Sequence, residues 1–240
     1  MSKTKFVFKR YEKKYVVSSA QKKRLLEKMS GYTVPDEYGQ STICNIYFDT
    51  PDFRVIRTSI EKPTYKEKLR IRSYGVPEHD SRVFVELKKK YKSVVYKRRI
   101  HMSYLDAMRY LVGGQRPENV NEQVLKEIDY FVSVNPGLRP AVSLFYDRIA
   151  YYGKEDRELR VTFDENIRFR NKNIDLALGS NGYPLLKDGE SVMEIKCLGS
   201  MPLWLTKELD EMKIYPASYS KYGNAFRTLM QSPASDAVHV

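Results

Sequence analysis

The sequence predicts an α+β protein built on an antiparallel closed β-barrel, a tunnel of about eight strands with a charged interior and helices packed outside. Three observations predict it. Apolar and polar residues alternate in short stretches over most of the chain, the period of a strand with two unlike faces. Several of these stretches are joined by brief polar turns, which suit antiparallel neighbours. The polar member of the alternation is charged in nearly every stretch, with cations ahead of acids, where a solvated face would mix Ser, Thr, Gln, Glu and Lys.

Taken in order, residues 5–17 (KFVFKRYEKKYVV) form a first strand. Ser18 or Ser19 caps a helix reaching Met29, with Leu25, Leu26 and Met29 on one face. Residues 42–49 (TICNIYFD) make a strand ending at Thr50-Pro51, where Asp49 reads as a turn residue. Strands follow at 65–74, 82–91 and 93–102, turned near His79-Asp80 and at Lys92-Ser93. A helix over 103–112 starts at Ser103, and one over 119–134 stops at Asn135-Pro136-Gly137. Strands at 141–151 and 158–164 are joined by Gly153-Lys154-Glu155-Asp156. Residues 165–180 show no clear period. A strand at 190–198 precedes helices near 203–213 and 219–231. Residues 1–231 then make one domain, and 232–240 a flexible C-terminal tail.

A chain with 42% hydrophobic and 30% charged residues folds to a soluble globule rather than staying disordered. No stretch approaches the roughly 20 apolar residues of a membrane-spanning helix. The opening MSKTKFVFKRYEKK lacks the apolar core of a signal peptide, so a cytoplasmic location is expected. Cys44 and Cys197 lie in strand-like runs and read as buried free thiols. Without a Cys-x-x-Cys pair, and with three scattered histidines, a zinc site is not expected. The net charge of +12 favours an anionic partner: nucleic acid, an anionic membrane, or a phosphorylated molecule or polymer.

The strand faces narrow that choice. One face of each strand collects Arg10, Glu12 and Lys14; Tyr47 and Asp49; Lys66, Lys68, Arg70 and Arg72; Glu86, Lys88 and Lys90; Lys97 and Arg99; Tyr146 and Arg148; Arg160, Thr162 and Asp164; Glu194 and Lys196. So many cations facing one bore repel unless anions lie among them. A chain of phosphates meets that need, because Arg offers paired donors to phosphate oxygens and Lys a point charge. The sparse acids Glu12, Glu86 and Glu194 are then candidates to hold Mg2+ or Mn2+ against the phosphates. Aromatic residues do not interleave with the cations as stacking platforms for bases would, so no nucleic acid is expected.

The segments RYEKKYVV, NIYFDTP, EKLRIRSYG, VFVELKKKYKSVVYKRR, FYDRIAY, LRVTFD, VMEIK and SKYGNAF, in this order, resemble the VTC domain. This is the catalytic domain of the vacuolar transporter chaperone polyphosphate polymerases, in the triphosphate tunnel metalloenzyme (CYTH-like) group. The likeness is to a bacterial-type stand-alone member. It implies a β-tunnel with basic walls and transfer of the ATP γ-phosphate onto a growing polyphosphate chain, with Mn2+ or Mg2+. By motif it assigns phosphate binding to Lys14, to Arg70 and Arg72 before Tyr-Gly, to Lys88 of Val-Glu-x-Lys, to Lys97, and to Ser220 and Lys221 of Ser-Lys. Lys68 and Arg99 join them from the same faces. Tyr146 and Arg148 match Tyr-x-Arg, Arg160 matches Arg-Val-x-x-Asp, and Lys196 follows the metal-binding Glu194. These four, Tyr146, Arg148, Arg160 and Lys196, are the expected catalytic residues.

One departure bears on the chemistry. The hydrolase branch of the group carries Glu-x-Glu-x-Lys on its first strand, where this chain reads Arg10-x-Glu12-x-Lys14. A cation in place of an acid weakens a two-metal hydrolase and favours the polymerase branch. The alternatives are a triphosphatase or polyphosphatase, and a non-catalytic sensor of polyphosphate or nucleotide. Yeast-type relatives also carry an SPX domain and a membrane region, which this sequence does not show. Coupling of synthesis to translocation is then not expected within this sequence, and the resemblance leaves room for a membrane-protein partner in trans.

Overall fold

The computed structural model describes residues 10–92 and 94–231. In chain order the elements are strand β1 (Arg10–Val17), helix α1 (Ser19–Met29), β2 (Thr33–Pro35), β3 (Ser41–Asp49), α2 (Arg54–Ile60), β4 (Tyr65–Tyr74), β5 (Arg82–Tyr91) and β6 (Val94–Ser103). They continue with α3 (Tyr104–Leu111), α4 (Glu122–Ser133), β7 (Arg139–Gly153), β8 (Arg160–Arg170), a 3-10 turn (Leu176–Leu178), β9 (Tyr183–Pro184), β10 (Ser191–Leu198), α5 (Leu203–Glu211) and α6 (Lys221–Gln231). The expected tail at 232–240, the start of the first strand at 5–9, and Ser93 of the expected turn lie outside the described residues.

The strands share one sheet whose path runs β1-β10-β8-β7-β3-β4-β5-β6, with β2 added to β7 and β9 to β8. Among the described residues β1 and β6 are the two ends of the path and do not pair with each other. The closed barrel expected from the sequence is thus met by a large antiparallel sheet without the closing pair. The chain forms two compact units.

The first unit holds the described residues up to Ser41 together with Asp147–Asn166 and Leu186–Tyr219. In it β1 pairs with β10 and β10 with β8, placing Tyr15 opposite Met193 and Met193 opposite Phe163. These residues, with Val17, Val161, Ile195 and Cys197, form a buried face under Leu25 and Met29 of α1 and Leu205 and Leu209 of α5. Ser18 starts α1 through a capping box with Gln21, so two of the otherwise orphaned amides are satisfied.

The second unit holds the described residues of Thr42–Tyr146, Ile167–Leu185 and from Ser220 to Gln231. Ile46, Ile71, Val85 and Ile100 lie in one cross-strand row, and Phe48, Leu69 and Leu87 in another. Both rows are buried against Tyr104, Ala107 and Leu111 of α3 and Leu125, Ile128 and Phe131 of α4. Each such aliphatic side chain contributes roughly 1.5–3 kcal/mol when removed from water. Both units therefore present one apolar, helix-covered sheet face and one charged face. Cys44 and Cys197 are buried free thiols, as expected.

Asp49 is a helix cap as well as a turn residue. It is fully buried, and its carboxylate accepts the amides of Thr50 (2.8 Å), Val55 (2.8 Å) and Ile56 (3.0 Å) and the hydroxyl of Tyr222 (2.8 Å). The helix it caps, α2, begins after Phe53 in the left-handed region at φ 57° and has no side-chain cap of its own.

Candidate functional site

In the first unit, alternation and register set charges side by side. Lys14 lies opposite Glu194, Glu12 opposite Lys196, Glu194 opposite Thr162 and Lys196 opposite Arg160. The side chains close the pattern. Lys196 Nζ is 2.6 Å from Glu194 and 3.9 Å from Glu12; Lys14 Nζ is 3.9 Å from Glu194 and 3.7 Å from Glu12. The two carboxylates thus share the same two lysines. Burial pushes the Glu194 carboxyl up, but Lys196 and Lys14 outweigh it and hold the group well below the usual carboxylate range. Lys14 also donates to the carbonyl of Tyr219 at 3.4 Å.

Arg148 is fixed by Asp164, a fully buried acid that takes both its Nε (2.6 Å) and its Nη2 (2.7 Å). Arg160 lies over the ring of Tyr152, 5.2 Å from its centroid. Its Nε and the hydroxyl of Thr162 are buried without a hydrogen-bond partner among the described residues. Buried donors are nearly always satisfied, so this pair is a candidate to meet an acceptor from elsewhere.

In the second unit the centre is Glu86, 1% exposed. Its Oε2 accepts Arg70 Nε (2.9 Å) and Nη2 (2.7 Å), and Arg72 stands 4.0 Å away. Its Oε1 is paired with Lys97 (2.6 Å) and Arg99 (3.4 Å). Burial opposes this charge, yet Arg70, Arg72 and Lys97 bring the carboxyl down to about 2. Arg70 also donates to the hydroxyl of Tyr47 (3.0 Å), and Arg72 to Asn45 (3.1 Å) and to the hydroxyl of Tyr146 (2.8 Å). Burial raises the Tyr47 phenol, but Arg70, Lys68 and Arg72 outweigh it and lower it to about 8. Lys68 donates to Ser220 (3.2 Å), and the Lys221 ammonium lies 4.5 Å from the Tyr146 ring centroid. Lys88 sits between Lys68 and Lys97 in one cross-strand row.

Every expected site residue therefore falls on a charged sheet face or, for Ser220 and Lys221, at the start of α6. The first unit brings together Glu12, Lys14, Glu194 and Lys196, with Arg148 and Arg160 on β7 and β8. The second brings together Arg70, Arg72, Lys97, Arg99 and Glu86, with Lys68, Lys88, Tyr146, Ser220 and Lys221. Sequence reasoning left Asn45, Tyr47 and Asp164 out of the expected site, although their alternation places them on the same faces. Their partners, Arg72, Arg70 and Arg148, come from neighbouring strands.

No group of three or more His, Cys, Asp or Glu side chains able to hold a metal occurs among the described residues. Glu12 and Glu194 supply two carboxylates, which is what Mg2+ ordinarily takes from a protein when phosphates and water complete its shell. The donors fit an ion that arrives with its phosphates. Glu86 differs in its surroundings: it is 1% exposed and stands among four cations, Arg70, Arg72, Lys97 and Arg99, where Glu12 and Glu194 share two lysines.

Solved structures share the fold that carries this arrangement. A candidate adenylate cyclase from Bacillus halodurans is similar at a TM-score of 0.55 and 17% identity, covering 87% of this chain and 92% of that one. A candidate adenylyl cyclase from Hippeastrum, described as having a dominant triphosphatase activity, is similar at 0.55 and 17%, covering 92% and 96%. At this identity the likeness is one of fold. The VTC domain model matches residues 9–230, and the chain belongs to the VTC domain family. No curated protein matches it.

Proposed function

We propose that this chain is a polyphosphate polymerase, moving the γ-phosphate of ATP onto a growing polyphosphate chain. One observation carries the reading. In the second unit Lys66 lies directly opposite Lys90, Lys68 opposite Lys88, and Lys88 opposite Lys97, on the face that also holds Arg70, Arg72 and Arg99. Like charges opposed across strands destabilise a sheet. From Lys66 to Arg72 the row of cations extends over about 20 Å of strand. That length favours a chain of phosphates over a single triphosphate.

Phosphoryl transfer needs positioning and charge neutralisation rather than a covalent nucleophile. Arg70 and Arg72, held by Glu86, Tyr47, Asn45 and Tyr146, present their remaining donors to phosphate oxygens without having to reorganise. Lys14, Lys68, Lys88, Lys97, Arg99, Ser220 and Lys221 bind further phosphates. Arg148, Arg160 and Lys196 stabilise charge on the transferring group, and Tyr146 orients a phosphate. Glu194 and Glu12 would hold Mn2+ or Mg2+, which supplies charge neutralisation when bound. Glu86 serves as the counter-ion of the arginines.

Hydrolysis of triphosphate or polyphosphate is the second reading, favoured by the two carboxylates of Glu12 and Glu194 sharing one pair of lysines. It differs only in the acceptor, water in place of a chain end. The fate of the γ-phosphate separates the two: incorporation into a polymer supports the polymerase, and release wholly as orthophosphate supports the hydrolase.

A further inference from the structure

The tip of the β5–β6 hairpin carries an apolar surface that the proposed chemistry does not use, bordered by Lys90 at the end of the cation row. Tyr65, Tyr91, Val94 and Tyr96 continue the face that buries Leu69, Leu87 and Ile100, but at the hairpin end they are 44–52% exposed together with Val95 of the opposite face. Tyr65 lies opposite Tyr91, and Tyr91 opposite Val94. Val95 lies opposite Lys90, which in turn faces Lys66. The apolar tip is thus two-sided, with tyrosines behind it on one side and lysines on the other. Lys92, in the turn at φ 52°, extends its ammonium over the Tyr91 ring, 5.5 Å from the centroid.

Charge follows the same layout. Residues 87–99 hold seven cations and no acid. Lys89 and Arg98 are neutralised by Glu127 at 2.9 and 3.0 Å, and Lys97 and Arg99 by Glu86. No ion pair with an acid is found for Lys90 or Lys92 among the described residues. A protein groove would cover one face of such a hairpin and leave the other valine in water. An anionic bilayer accommodates both faces: valines enter the acyl boundary, tyrosines sit at headgroup level, and lysines extend to lipid phosphates.

We infer that the tip of the β5–β6 hairpin, Tyr91-Lys92 with Val94-Val95-Tyr96, docks on the surface of an anionic membrane. The test is co-sedimentation of the whole protein with vesicles of phosphatidylcholine alone, or of phosphatidylcholine containing phosphatidylserine. Wild type is expected to favour the anionic vesicles by about tenfold or more, since each surface lysine is worth roughly fivefold. Val94→Asp/Val95→Asp is expected to lose that partition while binding tripolyphosphate as before, which confirms that it folds. Tyr96→Ser, a milder change, is expected to weaken it in the same direction. Equal binding to both vesicle types, or unchanged partition of both variants, overturns the inference. So does a concentration-dependent dimer without vesicle binding that Val94→Asp/Val95→Asp abolishes, which would make the tip a contact between copies.

Discussion

Arg70 places two donors, Nε at 2.9 Å and Nη2 at 2.7 Å, on the single oxygen Oε2 of Glu86, which lies directly opposite it on the neighbouring strand. The other oxygen of Glu86 is left to Lys97 and Arg99. One buried acid on β5 therefore holds cations of the two flanking strands, β4 and β6, in one array.

Replacing that acid exposes the repulsion it offsets. Glu86→Gln is expected to cost about 3–5 kcal/mol, the usual penalty for stripping one partner from a buried ion pair. Thermal unfolding with and without tripolyphosphate measures it, and the added anion should restore more stability to the variant than to wild type.

The pH dependence has a defined sign. The Glu86 carboxyl stands at about 2 in the fold, below its ordinary 4.5. A depressed carboxyl contributes stability that is present above pH 4.5 and lost as pH falls through 2. Acid titration of stability should show wild type losing its advantage over Glu86→Gln in that window.

Tyr47 provides an optical report of the same array. Its phenol is lowered from 10.0 to about 8, so wild type minus Tyr47→Phe should show one tyrosinate band with a midpoint near pH 8. The stability linked to this ionisation is complete above pH 10 and lost as pH falls through 8. Tripolyphosphate should move the midpoint upward, because an added anion opposes a phenolate.

Arg148 tests the value of a fork. Lysine keeps the charge but cannot span both Asp164 oxygens. Arg148→Lys is expected to lower turnover by roughly a hundredfold, the scale of losing one oriented charge-stabilising donor. Steady-state rates at saturating substrate check it.

Much of this is legible in the alternation. Leu69 and Ile71 inside with Lys68, Arg70 and Arg72 on the other face, or Met193 and Ile195 inside with Glu194 and Lys196 opposite, need only the period of a strand. The pairing of strands is not local, so the sharing of Glu86 among β4, β5 and β6 was not readable from spacing. Helix α2 was missed because its cap, Asp49, lies outside it and is completed by Tyr222, 173 residues away. The extension of β8 to Arg170 was missed because ENIRFR has Asn166 at φ 46° inside the strand. Its end is held by Arg168 on Ser180 and Arg170 on Asn181.

The central claim is transfer into a polymer supported by Glu194. The most direct measurement incubates wild type and Glu194→Gln with γ-labelled ATP and Mn2+ or Mg2+ and resolves the products on a gel. A ladder of long anionic polymer from wild type, absent from the variant, is the predicted result. Orthophosphate without a ladder, or an undiminished ladder from Glu194→Gln, would contradict it.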